Sequence, residues 1–93
     1  MIESFADSET EKIYKGLVSL KLPKAIQKTA RRKLVYLDDA EDLRDLFAPP
    51  GNRLEKLHGD RAGQYSIRIN DQWRVCFRWR ESDAYDVEIT DYN

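Results

Sequence analysis

The spacing of apolar side chains changes character at Pro49-Pro50-Gly51-Asn52, and that change limits the fold more than any other feature of the chain. Before it, Ile26, Ala30, Leu34 and Leu37 recur at helical spacing and make one apolar stripe. After it the period is two. Tyr65, Ile67 and Ile69 alternate with Gln64, Ser66 and Arg68. Trp73, Val75, Phe77 and Trp79 alternate with Arg74, Cys76, Arg78 and Arg80, and Tyr85, Val87 and Ile89 form a last strand. Alternation sends successive side chains to opposite faces, so the sheet has one apolar face to bury, and amphipathic helices are its natural cover.

Local signals fill in the order. Ile2–Phe5 reads as a short leading strand. Asp7 or Ser8 caps a helix with acids in its first turn, running to about Lys15 and stopping near Gly16. Pro23 suits the first turn of a second helix. Leu43, Leu46 and Phe47 suggest a helical turn that docks on the core, and Arg53–Leu57 alternates weakly. Asn70-Asp71 and Glu81-Ser82-Asp83 turn the chain between strands. The predicted fold is a single α+β domain over residues 1–93. Its N-terminal strand and two helices pack on one face of a small, mostly antiparallel sheet. The other face shows Arg68, Arg74, Arg78 and Cys76 beside Asp86 and Glu88. Lys24, Lys28, Arg31, Arg32 and Lys33 lie mostly off the helical stripe, as a solvated face or a contact to RNA phosphates.

Charge narrows the partner. Residues 53–80 carry seven Arg or Lys against three acids, whereas residues 81–93 carry five acids and no base. Most of those bases are Arg, whose planar fork suits phosphate. The near-neutral total, 16 bases to 17 acids, argues against whole-surface nucleic-acid binding, so any nucleic acid must meet this local patch. Cys76 is the only cysteine and His58 the only histidine, which leaves no internal disulfide and no zinc-ligand spacing. No apolar run approaches a membrane span of ~20 residues, and the first residues lack the basic start and apolar core of a signal peptide. A cytoplasmic protein with no membrane association is expected.

Several segments, taken in order, closely resemble HigB-type toxins of the RelE/ParE superfamily. They are Pro50-Gly51-Asn52-Arg53-Leu54, Gly59-Asp60-Arg61, Tyr65-Ser66-Ile67, Asn70-Asp71-Gln72-Trp73-Arg74 and Asp91-Tyr92. The resemblance implies a type II toxin that cuts messenger RNA on the translating ribosome and is silenced by a HigA-type helix-turn-helix antitoxin. Operator DNA would be met only through that antitoxin. It further implies attack by the RNA 2′-hydroxyl, leaving a 2′,3′-cyclic phosphate, with no metal or other cofactor. The matching Asp91-Tyr92 pair is implicated in cleavage or substrate contact; the family's following His is Asn93 here. Glu55-Lys56 occupies the region of a His-Pro pair seen in some relatives. Two alternatives stay open: a ParE-like inhibitor that binds DNA gyrase without catalysis, since that branch resembles this fold, and a decayed toxin that only binds its antitoxin, for which Asn93 is the best support.

The chemistry of such a cut needs a proton acceptor, a proton donor and fixed positive charge at the phosphorane. Arg74, mid-strand on the polar face, is the first candidate for the charge, or else a cross-strand partner of Glu88 or Asp86. Arg68 is the second cation. Arg61, placed by the Gly59–Gly63 turn with Asp60 as its acceptor, and Arg78 are expected at the RNA backbone, and Asn93 at a base edge. His58 is a candidate general acid or base, or a plain turn residue. Asp91 could exchange a proton or orient Arg74 or Tyr92. Tyr92 could stack on a base or donate its phenol proton, or simply cap the core. The Trp73, Phe77 and Trp79 face is expected to be core, with RNA stacking as the alternative, and Cys76 is expected to be inert.

Overall fold

The computed structural model describes residues 1–91. Two helices, α1 (Ser8–Tyr14) and α2 (Lys24–Asp39), precede four strands, β1 (Glu55–Lys56), β2 (Tyr65–Arg68), β3 (Trp73–Arg80) and β4 (Asp83–Asp91). The strands form an antiparallel meander in the order β1-β2-β3-β4. The expected α+β architecture is therefore present. Among the described residues, no helix is long and apolar enough to cross a membrane.

The start of α1 is built by two side chains. Asp7 Oδ1 accepts from the Thr10 backbone N–H at 2.7 Å, and Thr10 Oγ1 donates to Asp7 Oδ2 at 3.0 Å. The same Thr10 hydroxyl accepts from the buried Ile89 N–H at 3.0 Å, which ties the helix start to β4. At the other end Gly16 takes φ 83°, with Gly16 N–H on the Ile13 carbonyl and Leu17 N–H on the Lys12 carbonyl. This paired closure of a helix end favours glycine at the left-handed position. Thr10→Val is expected to cost about 1–3 kcal/mol in urea unfolding, since it strands a buried amide and weakens the cap.

Helix α2 buries the predicted stripe: Ile26, Ala30, Leu34 and Leu37 join Ile67, Val75, Phe77, Val87 and Ile89 in one core. Pro23 stands one residue before the helix as its N-cap rather than inside it. Lys33 departs from the solvated face expected for it. Its ammonium is buried and donates to Asn52 Oδ1 at 2.5 Å, while Asn52 Nδ2 donates to the Leu46 carbonyl at 3.1 Å. The short turns at Leu43–Phe47 and Pro50–Asn52 are thereby pinned to α2.

Two strand expectations are also revised. The leading segment pairs with β4 only through isolated parallel bridges, Ile2 with Ala84 and Phe5 with Val87. Between those bridges β4 carries a bulge: Cys76 faces Glu88 but Arg78 faces Tyr85, and Asp86 takes φ 52°. One extra residue on β4 reverses the side-chain alternation. Ala84 and Val87 accordingly fill the core, and Tyr85 moves to the polar face beside Arg78. The preceding turn is two residues, Glu81 and Ser82, both at positive φ, as a tight hairpin requires.

Candidate active site

Arginines gather where the β2–β3 hairpin closes. Asn70 Oδ1 accepts from the backbone N–H groups of Gln72 at 2.8 Å and Trp73 at 2.7 Å, so a side chain shapes the turn. The resulting register sets Arg68 opposite Arg74, and Arg74 opposite Thr90. Arg74 is only 8% exposed. Its Nε donates to Ser66 Oγ at 2.7 Å and its Nη2 to the Arg53 carbonyl at 2.7 Å, with Glu55 Oε2 at 3.6 Å. Ser66 is fully buried. Burying a guanidinium costs several kcal/mol unless partners compensate it, and these partners also fix its plane. The acid beside Arg74 is thus Glu55, rather than the Glu88 or Asp86 expected across the sheet.

Those two acids hold other arginines. Arg61 Nη1 meets Glu88 Oε1 at 3.0 Å and Gln64 Oε1 at 3.0 Å, and its Nη2 reaches Thr90 Oγ1 at 3.5 Å. Asp60, expected as the Arg61 acceptor, gives way to these three because the register of β4 brings Glu88 and Thr90 under the loop. Arg78 Nε lies 3.6 Å from Asp86 Oδ2. Arg68 pairs at 2.5 Å with Asp71, which is fully exposed and whose carboxyl Arg68 holds below its usual range. Exposed pairs of this kind are weak and screened, so an incoming phosphate can take the place of Asp71. Burial pushes the Cys76 thiol up, with Arg61 opposing, in keeping with an unreactive thiol.

Asp91 ends β4 opposite Trp73, one residue beyond the Thr90 that faces Arg74. Its Oδ2 accepts from Gln72 Nε2 at 2.8 Å. Tyr92 and Asn93 lie outside the described residues. His58 is exposed, and its side chain has no hydrogen-bond or ion-pair partner among the described residues. It follows β1 at the sheet edge. Glu55 faces Ser66 and the Leu57 N–H bonds to Gln64, while Tyr65 faces Phe77. That register puts His58 roughly 15 Å along the strands from Arg74. Arg68 and Arg74 therefore share the polar face at one end of the sheet; Asp91 lies at that end with the parity of Trp73, and His58 is remote from it.

Sequence reasoning missed the side chains that hold this site. Ser66 showed only its polar parity, and its contact with Arg74 depends on the β2–β3 register. Gln72 sat in a turn that drew attention for its shape. The Arg53 carbonyl is invisible in any residue pattern. It is aimed by a left-handed backbone, φ 44°, for which Pro50-Gly51-Asn52 was the only hint. Among the described residues, no group of three or more His, Cys, Asp or Glu could hold a metal ion.

Residues 3–92 match the family model described as the RelE-like toxin of type II toxin–antitoxin system HigB. The chain is similar to Toxin HigB-1 of Vibrio cholerae serotype O1, with 41% identity over 96% of this chain and 95% of that one. It is also similar to the protein named Endoribonuclease HigB in Proteus vulgaris, with 28% identity over the full length of both. An uncharacterized protein of Haemophilus influenzae is 31% identical over 94% of this chain and 87% of its own.

Proposed function

The chain belongs to the HigB family of RelE-like toxins of type II toxin–antitoxin systems, and on that premise we propose that it is an endoribonuclease that cuts messenger RNA on the translating ribosome. The observation that carries this reading is Arg74, a guanidinium fixed on a strand by Ser66 and the Arg53 carbonyl, with Arg68 opposite it. In-line attack by the RNA 2′-hydroxyl breaks the bond to the 5′-oxygen and gathers negative charge on the phosphorane. Arg74 meets that charge with little reorganisation, and Arg68 does so once phosphate has taken the place of Asp71. Asp91, at the same end of the sheet, and Tyr92, next to it in sequence, supply proton transfer and a base contact, and Arg61 guides the backbone.

A HigA-type antitoxin is the partner in this reading. A groove of about 440 Å³ between the end of α1 and α2 supports it. Leu17, Val18 and Val35 give it apolar walls, and Lys28, Arg31 and Arg32 rim it without ion pairs among the described residues. Apolar contacts ringed by cations suit an acidic amphipathic segment.

Brief expression without antitoxin, followed by mapping of RNA 5′ ends, tests the function. New ends inside translated codons, absent when initiation is blocked and absent in Arg74→Ala, are the expected result. Ends that persist without translation would sink ribosome dependence. Growth arrest with no new ends would shift the target to one bound without catalysis, such as gyrase.

A further inference from the structure

We propose that Arg78, Arg80 and Tyr85 form a second RNA subsite, on the sheet face that carries Arg74 and a few nucleotides from the cleaved bond. The proposal rests on the reading that RNA is the substrate. It begins with the bulge, which places the Tyr85 ring among arginines instead of in the core. Holding a non-glycine residue such as Asp86 at φ 52° is unfavourable, and the core gains no aromatic from it. Ala84 and Val87, both fully buried, close the core on either side.

Arg78 and Arg80 stand at this end of the sheet, on the face that carries Arg74. The Arg80 guanidinium carbon lies 4.7 Å from the Tyr85 ring centroid. Arg68, Arg74 and Arg78, on the same face, each meet an acid. Arg80 has no ion pair among the described residues and is exposed. Arg78 is half-exposed, and its Nη1 sits 2.9 Å from where a Cβ on Gly63 would lie, so the glycine leaves it room against the loop. An arginine lying on a tyrosine presents a plane for a nucleobase and edge N–H groups for a phosphate. A duplex hides its bases in the stack, so this combination suits a single strand. Arg74 and Arg80 are six residues apart on β3, roughly 20 Å, which one extended strand of RNA can span.

The test is cleavage on ribosomes carrying a defined message, titrated with toxin. Tyr85→Ala and Arg80→Ala are each expected to raise the half-maximal toxin concentration about tenfold with the maximal rate unchanged. Tyr85→Phe, which keeps the ring, should behave as wild type. Truncating the message on one side of the cleaved codon should abolish the difference. An unchanged half-maximal concentration in both alanine variants overturns the subsite and leaves the Arg74 site standing. A difference that survives truncation on either side overturns it too, assigning these residues to folding or to the ribosome. Wild-type protein that cuts neither message overturns the underlying reading as well.

Discussion

Arg74→Lys lowers the maximal rate of ribosomal cleavage by about 10²-fold or more, although charge is conserved: this is the expected result, measured as single-turnover cleavage at saturating toxin. Removing a preorganised donor from a developing oxyanion typically costs about 10²–10³ in rate. Lysine keeps the charge and loses the fork. Its ammonium cannot meet Ser66 Oγ and the Arg53 carbonyl, each now 2.7 Å from a different guanidinium nitrogen, and hold a fixed plane toward substrate. Ser66→Ala is expected to show a smaller loss in the same direction, because the Arg74 fork then lacks one of its fixed partners. Each variant also weakens a buried charge-assisted contact, so the rates are compared per folded molecule, with the folded fraction fixed by urea unfolding. Cleavage by Arg74→Lys within a few-fold of wild type would remove Arg74 from the chemistry and leave it a structural role with Glu55.

How much of this was legible follows from which interactions are local. The α2 stripe, the α1 cap at Asp7 and the Asn70-Asp71 turn depend on residues a few positions apart, and each was readable. The Arg68 and Arg74 parity was readable for the same reason. Tyr85 was misplaced because a bulge at Asp86 has no signature without glycine. Lys33 was misplaced because its burial depends on Asn52, nineteen residues away across a turn. His58 shows the same limit in the site. Its chemistry was evident from its type, and its distance from Arg74 appears only once β1 is paired with β2.

Asn52→Ala should be the most damaging substitution that touches neither the apolar core nor the proposed catalytic groups. It strips the acceptor from a buried ammonium and the donor from the Leu46 carbonyl. Hydrogen bonds to charged groups contribute about 1.5–3 kcal/mol, and a stranded partner adds its desolvation cost, so a loss of about 2–4 kcal/mol in urea unfolding is expected. Lys33→Met should cost less, since it removes the charge together with its need for a partner. The double variant should therefore lose less than the two single losses combined. The loss should also depend on pH. Burial, aided by the charges of Arg32 and Arg68, holds the Lys33 ammonium below the usual lysine value. Between the folded and unfolded values the unfolded chain binds more protons, so this group makes stability rise with pH across that window. Without Asn52 the folded value falls further and the window extends to lower pH. The gap between Asn52→Ala and wild type should then narrow as pH climbs into the alkaline range. A catalytic consequence accompanies the structural one. Asn52 directly precedes Arg53, whose left-handed backbone aims the carbonyl at Arg74, so the folded fraction of Asn52→Ala should also cleave more slowly. Full activity per folded molecule would separate the Lys33–Asn52 tie from the active site and leave it a clamp on the fold alone.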